Sequence, residues 1–583
     1  MSAWLRMRRL RLRAGATESS SLSMAVTYMP TFSSLRGIFF TASSSCFCGP
    51  AGPSPLYYLR RKSGGLYRYG GTGRKERLKG EAPPSYDRPY EGRTLMISAP
   101  PERRLLATLF ALLLSAPALF TAAVADEDAP LYDTVISGGT VMDPESGLVE
   151  ELDVGIRDGV VAALSKGPLR GRRVLDAAGL VVAPGFIDIQ SYGPYYTMSL
   201  FKAADGVTTS LTLHGGTIDF GIWAAEKGRG GQMLNYGSAV SHHFLRSAVG
   251  VPDRYTAATA AQTARMVEKV EAAMAAGALG VSFSLEYTPG ATYEEIRPLC
   301  AVAARYKAPC FMHLRYSDPD PPGTNREAVA EALRLARDTG ASVHIHHITS
   351  TGGTFTMDET AAQIEAARAD GLDVTACVYP YTYWATYLSS ARFDPGWRRR
   401  FRIDYGDLQI SGSGERLDED SFRRYRRSDK LAVAYAIPEA DVLRALAAPW
   451  VMIGSDGLIK SNGNSHPRGA GCFSRTIGVY VREKGALTLM EALSKMTVEP
   501  ARLLEGVAPR MKRKGRLRVG MDADIVVFDA ARIRDRATVE RPMSYSEGIE
   551  YVLINGVLVR DGADVRYEKA GVLIRGAGGP GTP

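Results

Sequence analysis

The chain has 583 residues, enough for more than one domain. Its hydrophobic content of 45% and charged content of 23% are those of an ordinary globular protein. The formal net charge is +9, but residues 1–130 hold 18 Lys and Arg against 9 Asp and Glu, and the rest of the chain holds 53 against 53. The composition therefore gives no indication of a nucleic-acid partner.

The first part of the chain has the features of a leader and an export signal. Residues 1–95 mix Arg-rich runs with Ser, Gly and Pro and show no sustained period, which is typical of a disordered upstream leader. Residues 96–125 then form a basic segment, an apolar run and the closing Ala123-Val124-Ala125. Because Pro117 interrupts the run, this pattern favours a cleaved signal peptide over a membrane anchor. We therefore expect a mature protein that begins near Asp126, keeps no stable membrane span, and is periplasmic or secreted.

Both ends of the mature chain are rich in β-structure. Residues 131–182 contain short β-branched runs that are broken by turn residues, and residues 501–570 have the same character. The dipeptide Asn555-Gly556 between two apolar runs is a strong hairpin signal. The two ends together predict one small β-sandwich domain.

The middle of the chain predicts an α/β fold. In residues 183–500, short apolar strands alternate with amphipathic helices, for example Thr256–Ala276 before Gly277 and Glu327–Thr339 before Gly340. Repeated strand-then-helix units favour a (β/α)8 TIM-like barrel over an open sheet. Residues 393–438 interrupt the rhythm and are predicted to form an inserted lid or loop over the barrel mouth.

Several polar residues end strand-like runs, where a barrel places its chemistry. Alternation of side chains predicts that His214, His313, Arg315, His347 and Asp456 all face the barrel interior. Three neutral imidazoles and a water form a standard open zinc site, and a nearby carboxylate can act on that water. The pattern thus predicts one Zn²⁺ per chain, bound by the three histidines.

The other histidines are given smaller roles. His242 and His243 are adjacent and cannot share a strand face, so one of them is a candidate for supporting the metal ligands. Alternation places His344 and His346 on the face opposite His347, where we expect them to be structural or solvated.

The motifs of residues 131–570, in their order, resemble the N-acyl-D-amino-acid deacylase branch of the amidohydrolase superfamily, and especially its N-acyl-D-glutamate deacylase-like members. They are Ala183-Pro184-Gly185-Phe186-Ile187-Asp188, Asp205-Gly206-Val207-Thr208-Thr209, Ser284-Leu285-Glu286-Tyr287-Thr288-Pro289-Gly290, His313-Leu314-Arg315, Val378-Tyr379-Pro380-Tyr381, Ser455-Asp456-Gly457, His466-Pro467-Arg468 and Gly520-Met521-Asp522-Ala523-Asp524.

The resemblance implies a barrel with a β-sandwich, zinc, and hydrolysis of an N-acyl amide. It implies that His214, His313 and His347 bind the metal, where the family has Cys or a carboxylate at the position of His214. Asp456 matches the aspartate that handles the proton of the attacking water. Arg468 and Tyr379 match positions that bind the substrate carboxylate, and Arg315 is a further candidate for substrate binding.

The sequence also departs from the family pattern. Gln190 and Tyr192 replace a His-x-His pair that serves mainly a weaker second metal position. Thr349 stands where many deacylases have a substrate-binding Lys, and Cys377 stands where Asp often precedes Val-Tyr-Pro-Tyr. The loss of the pair argues against a binuclear centre but leaves a mononuclear one possible.

Two hypotheses follow. The first is a zinc amidohydrolase that cleaves the N-acyl amide bond of N-acyl-D-amino acids, with N-acyl-D-glutamate as one candidate, or of a related carboxylate-bearing small molecule. The second is a catalytically inactive, exported barrel that binds ligands or partners, and it is motivated by the three changes at Gln190, Tyr192 and Thr349. Retention of three ligand-type histidines and Asp456 favours the enzyme.

Overall fold

The computed structural model describes residues 131–460 and 462–578, so the predicted leader and signal peptide lie outside the described residues. The chain begins with five strands: β1 Leu131–Asp143, β2 Leu148–Arg157, β3 Val160–Ser165, β4 Arg170–Asp176 and β5 Val181–Pro184. β1 pairs antiparallel with β2 and parallel with both β4 and β5.

A parallel barrel follows directly. Its first seven strands are β6 Phe186–Asp188, β7 Val207–Thr217, β8 Asn235–Ser241, β9 Val281–Ser284, β10 Cys310–His313, β11 Val343–Ile345 and β12 Val374–Val378. An antiparallel three-stranded sheet is inserted next, with strands β13 Trp384–Tyr387, β14 Leu408–Ile410 and β15 Leu431–Ala434. β16 Val451–Ile453 pairs with β12 and completes the eight parallel strands, which lie side by side in chain order.

Helices connect the barrel strands, as the alternating pattern predicts. They are Tyr196–Ala204, Phe220–Gly230, His242–Ala248, Ala260–Ala275, Tyr293–Arg305, Asn325–Thr339, Met357–Ala369 and Glu439–Ala447, with the short Trp397–Phe401 and Glu419–Tyr425 in the insertion. Three more helices follow the last barrel strand: Arg468–Arg475, Leu489–Met496 and Val498–Glu505. Capping explains several of the ends. Thr324 and Glu327 form a reciprocal capping box, and Gly340 ends that helix with a φ of 68° that favours glycine.

A buried ion pair joins the first barrel strand to the last. The Lys202 ammonium donates to Asp188 Oδ2 and to Ser455 Oγ, both at 2.6 Å. The backbone N–H of Ser455 donates to Asp188 Oδ1 at 3.0 Å, and Ser191 and Gly457 form a parallel bridge. These contacts bring the edges β6 and β16 together, so the (β/α)8 barrel is nearly closed.

The chain ends with strands that return to the first sheet. They are β17 Ile525–Phe528, β18 Ile549–Ile554, β19 Val557–Asp561 and β20 Asp564–Val565, and β17 pairs antiparallel with β5. The result is one nine-stranded sheet, built from both ends of the described residues, beside the barrel. Within the described residues, no helix is both long and apolar enough to cross a bilayer.

Candidate active site

The three predicted metal ligands meet at the carboxyl ends of their strands. His214 lies in β7, His313 is the last residue of β10, and His347 follows β11 by two residues. One ring nitrogen from each of the three lies within 4.8 Å of the others, and all three side chains are buried. This is the donor set and spacing of a site for a divalent metal ion.

The carboxylate of Glu286 fixes the ring of His313 on the side away from His347. The Nδ1 of His313 is 3.1 Å from Nε2 of His347, while its Nε2 is 3.0 Å from Oε2 of Glu286. The Nε2–H group can therefore donate to Glu286, which leaves Nδ1 free to bind a metal, an arrangement that orients histidine ligands in many metal sites. Burial would raise the pKa of Glu286, but Arg392 and His313 lower it to about 2, so this residue is a carboxylate.

His214 is supported by a second histidine. Its Nδ1 lies 2.9 Å from Nδ1 of His346, so one of the two nitrogens donates to the other. Its Nε2 lies 3.9 Å from Oδ1 of Asp456 and points into the site. His214 can thus bind a metal through Nε2, while His346 holds the other side of its ring.

The prediction for the face of β11 was wrong. Phe311 of β10 pairs with His344, and the ring of Phe311 stacks on His346 at 5.8 Å, so His344 and His346 are on the interior face. Both are fully buried rather than solvated. His347 reaches the site because β11 ends at Ile345 and the backbone of His347 adopts a φ of 32°. Alternation does not extend past the end of a strand.

Burial keeps the site histidines neutral at physiological pH. It lowers the pKa of His214 to about 4, and it also lowers the pKa of His313, His346 and His347. Neutral imidazole is the form that binds a metal, so the site is prepared for one without a prior loss of protons.

Asp456 lies between the histidines and two donors. Its Oδ1 accepts a hydrogen bond from the Tyr192 hydroxyl at 3.0 Å, and its Oδ2 forms an ion pair with Arg468 Nη2 at 2.6 Å. Oδ2 is also 4.0 Å from Nε2 of His347. The carboxylate is therefore fixed beside two of the metal ligands, as expected for a residue that exchanges a proton with a water there.

Arg468 and Tyr379 support this carboxylate. Besides its ion pair with Asp456, Arg468 donates from Nε to the backbone oxygen of the same residue at 2.9 Å. Its guanidinium lies over the ring of buried Tyr379, 4.5 Å from the ring centre. Of the predicted carboxylate-binding pair, Arg468 is thus largely engaged with Asp456, and Tyr379 packs beneath it.

The structure does not bring Arg315 into the site. Its Nε and Nη2 donate to the two carboxylate oxygens of Glu331, each at 2.8 Å, and its Nη1 donates to the backbone oxygen of Ala291 at 2.7 Å. Arg315 follows the end of β10 by two residues, so the alternation that places His313 inside no longer applies to it. Its long side chain instead pairs with the helix that follows.

Glu286 and Tyr192 belong to the site, although neither was predicted to act in it. Glu286 follows the end of β9, in the motif of residues 284–290, and a carboxylate at a strand end was a signal that could have identified it. Tyr192 is a replacement for a histidine, and its ring packs edge-on against His214 at 5.4 Å. Gln190, the other replacement, is buried and accepts a hydrogen bond from the Cys377 thiol at 3.0 Å.

A cavity opens next to this cluster. It has a volume of about 360 Å³ and it touches Tyr192, His214 and Asp456 from the site. Its walls also include His243 and Arg254, together with the apolar side chains of Phe244, Leu431 and Leu458. His242, by contrast, is fully buried and bound through Nε2 to Glu295 at 2.7 Å, which is a structural role.

A nearly closed parallel barrel with three converging histidines and a fixed aspartate at its mouth is an arrangement suited to a hydrolase that uses a metal ion. Residues 309–560 match the Amidohydrolase family. N-acyl-D-glutamate deacylase of Alcaligenes xylosoxydans xylosoxydans is 34% identical over 498 residues, which cover 77% of this chain and 98% of that protein. The chain belongs to the amidohydrolases, in the N-acyl-D-amino-acid deacylase branch, whose members hydrolyse amide C–N bonds.

Two solved structures have the same architecture. One is N-acyl-D-glutamate deacylase of Bordetella bronchiseptica, complexed with zinc and a phosphonate mimic of the tetrahedral intermediate, at a TM-score of 0.67 and 30% identity over 76% of this chain and 100% of that chain. The other is a D-aminoacylase described as having a binuclear metal centre, with one-metal activation and second-metal attenuation. Its TM-score is 0.66 and its sequence identity is 27%, over 76% of this chain and 100% of that chain. The predicted fold class and branch are confirmed.

Proposed function

We propose that this chain is a zinc-dependent amidohydrolase that cleaves the N-acyl amide bond of N-acyl-D-amino acids, or of a related amide that carries a carboxylate. The observation that carries the proposal is the cluster of His214, His313 and His347, with Asp456 within 4.0 Å of two of them at the edge of a cavity. The names of the relatives support the choice of substrate class.

The residues fit a divalent cation. Three neutral imidazoles converge, and the hydrogen bonds of His313 to Glu286 and of His214 to His346 orient two of them. His214, His313 and His347 would hold Zn²⁺, and when bound the ion supplies a Lewis acid for the scissile carbonyl and for water.

Asp456 moves the proton in this mechanism. Its carboxylate accepts a proton from the attacking water, whose oxygen bonds to the carbonyl carbon, and delivers it to the amide nitrogen as the C–N bond breaks. The products are a carboxylic acid and a free amino acid. Tyr192 and Arg468 each hold one oxygen of Asp456, which keeps the carboxylate in the orientation that both transfers need.

We propose one metal ion per chain, although a related D-aminoacylase is described as binuclear. The positions of the His-x-His pair are Gln190, which binds the Cys377 thiol, and Tyr192, which binds Asp456. A neutral amide and a phenol with its pKa raised well above the usual range by burial are poor ligands for a second zinc ion.

The test is hydrolysis by the purified mature protein after loading with zinc. N-acetyl derivatives of D- and L-amino acids, including N-acetyl-D-glutamate, should be compared by the release of free amino acid. We expect hydrolysis of at least one D-substrate and loss of activity with a chelator. A zinc-loaded protein that hydrolyses none of the D- or L-substrates would refute the proposal and favour the inactive binding protein.

We also propose export of the protein from the cytoplasm, on the basis of the signal-peptide pattern of residues 96–125. Mass spectrometry of the native protein should find an N-terminus near Asp126. Peptides from residues 1–95 in the native protein would contradict this.

A further inference from the structure

The position of Asp456 determines which side of the cavity each half of the proposed substrate faces. Asp456 follows β16 and delivers a proton to the amide nitrogen, so the amino-acid half of the substrate lies towards β16. The eight strands run in chain order around the nearly closed barrel, which places β8 and β9 on the side opposite β16. The acyl half therefore points towards β8 and β9. The position for the amino-acid carboxylate, which the resemblance assigns to Arg468 and Tyr379, stays on the side of β12 and β16.

The cavity wall on the side of β8 and β9 has an inner part and a rim. The inner part contains Ser241 and Ser284, which end these two strands and have small side chains. The rim contains two residues of the segment after β8: Phe244, which is exposed, and Arg254, which is partly buried. An acetyl group would occupy only the inner part, whereas a longer acyl chain can pack along Phe244 and reach Arg254.

Arg254 gives this rim a positive charge. Among residues 131–460 and 462–578, no carboxylate lies within 4.0 Å of its guanidinium. Arg246, in the same segment after β8, pairs instead with Glu295 at 2.5 Å, and Arg392 pairs with Glu286 at 3.2 Å. Burial of a cation costs less when an anion accompanies it. Arg254 lines the space that the substrate enters, so a ligand can supply its anion.

The backbone around Arg254 is held by hydrogen bonds. Its carbonyl oxygen accepts from the Gly290 N–H at 2.9 Å, and Asp253 Oδ1 accepts from the N–H groups of Tyr255 and Thr256 at 2.8 and 2.7 Å. Gly290 packs so closely that a Cβ there would be 2.3 Å from the carbonyl carbon of Tyr255. The guanidinium is thus carried by an ordered segment, which lowers the entropic cost of binding an anion.

We infer that Arg254 binds a carboxylate at the far end of the acyl group, so that the preferred substrates are N-acyl-D-amino acids whose acyl group is derived from a dicarboxylic acid. The methylene groups of such a chain pack against Phe244, and the chain ends in an anion that pairs with the guanidinium. Hydrolysis adds one water across the amide and releases the dicarboxylic acid and a free amino acid. This inference rests on the proposed function, because it specifies the acyl group of the same substrate.

The test uses two ligands of equal length that cannot be hydrolysed. They are the analogues of N-glutaryl-D-leucine and N-pentanoyl-D-leucine in which a sulfonyl group replaces the amide carbonyl, and only the first has a carboxylate on the acyl chain. Leucine keeps the amino-acid side chain neutral. Calorimetry on the zinc-loaded wild type should show that the glutaryl analogue binds about 10-fold more tightly, since hydrogen bonds between charged groups are of this strength.

Variants of Arg254 test whether this residue causes the difference. Arg254→Ala should bind the glutaryl analogue as weakly as the pentanoyl analogue, while its affinity for the pentanoyl analogue stays unchanged. Arg254→Glu should bind the glutaryl analogue more weakly still, and Arg254→Lys should keep part of the preference. Arg424→Ala, which removes an exposed arginine of the insertion, is the matched control and should bind both analogues like the wild type.

Three results would overturn the inference. The first is equal affinity of the wild type for the two analogues, and the second is no binding of the glutaryl analogue. The third is a loss of affinity of Arg254→Ala for the pentanoyl analogue, because Arg254 would then bind the amino-acid half of the ligand.

The outcome for this acyl subsite can be distinguished from that for the proposed function. A preference for the glutaryl analogue that depends on Arg254, in a protein that hydrolyses no N-acyl amino acid, would support the subsite and refute the enzyme. Hydrolysis of N-acetyl-D-amino acids by a protein that binds both analogues equally would support the enzyme and refute the subsite.

Discussion

The hydroxyl of Tyr192 donates a hydrogen bond to Oδ1 of Asp456 at 3.0 Å, across 264 positions of the sequence. The Tyr192 hydroxyl thus binds the carboxylate that we propose to be catalytic, from a position where the resemblance implies a histidine ligand of a second metal ion. The same oxygen is 3.9 Å from Nε2 of His214. This hydrogen bond links the segment after the first barrel strand to the proposed proton acceptor after the last strand, and it leads to a prediction about metal content.

Restoring the His-x-His pair should restore a second metal ion. The double variant Gln190→His, Tyr192→His provides two imidazoles beside Asp456, and we expect elemental analysis to find two tightly bound zinc ions per chain instead of one. Tyr192→Phe is the matched control, since it removes only the hydroxyl, and it should keep a single ion. Two tightly bound ions in the wild type would contradict the mononuclear site.

Removal of His214 should empty the remaining site. His214→Ala leaves two protein ligands, fewer than zinc sites normally have, so most of the zinc should be lost after dialysis. His344→Gln is the control, because His344 lies in the barrel interior and binds Thr375 Oγ1 at 2.8 Å rather than facing the ligands. If His214→Ala retains a full equivalent of zinc, the ligand assignment is wrong.

The barrel and the convergence of its ligands could be predicted because every parallel strand presents its carboxyl end to the same mouth. The positions of side chains that follow the strand ends could not be predicted in this way. His347 enters the site through a φ of 32°, and Arg315 turns away to Glu331, although alternation treats both alike. The ion pair of Arg468 with Asp456 depends on the tertiary structure, because a long side chain can reach several partners. No local sequence pattern predicts which partner it contacts.

Substitutions of Asp456 and Arg468 should both lower kcat. Asp456→Asn keeps the shape of the side chain but cannot accept a proton, so kcat should fall by at least about 100-fold with zinc retained. Arg468→Ala removes the ion pair at 2.6 Å and should also reduce kcat, with a smaller effect on KM.

The resemblance implies instead that Arg468 binds the substrate carboxylate, and in that case its loss would mainly raise KM. Steady-state kinetics on the same N-acetyl-D-amino acid distinguish the two roles. Near-normal turnover of zinc-loaded Asp456→Asn would exclude the carboxylate as the proton acceptor.

The metal-free protein should lose stability as the pH falls below about 6.5, the usual pKa of histidine. Burial lowers the pKa of His344 in the folded state to about 3. Above pH 6.5 His344 is mostly neutral in both the folded and the unfolded state. Between pH 6.5 and pH 3 it is protonated in the unfolded chain but stays neutral in the folded chain. The free energy of unfolding should therefore decrease by about 2 kcal/mol between pH 6.5 and pH 4.5 from His344 alone. Urea titrations at pH 7 and pH 4.5, with a chelator present, measure the decrease, and His344→Gln should show a smaller one. An equal decrease in the wild type and His344→Gln would show that His344 is not the source.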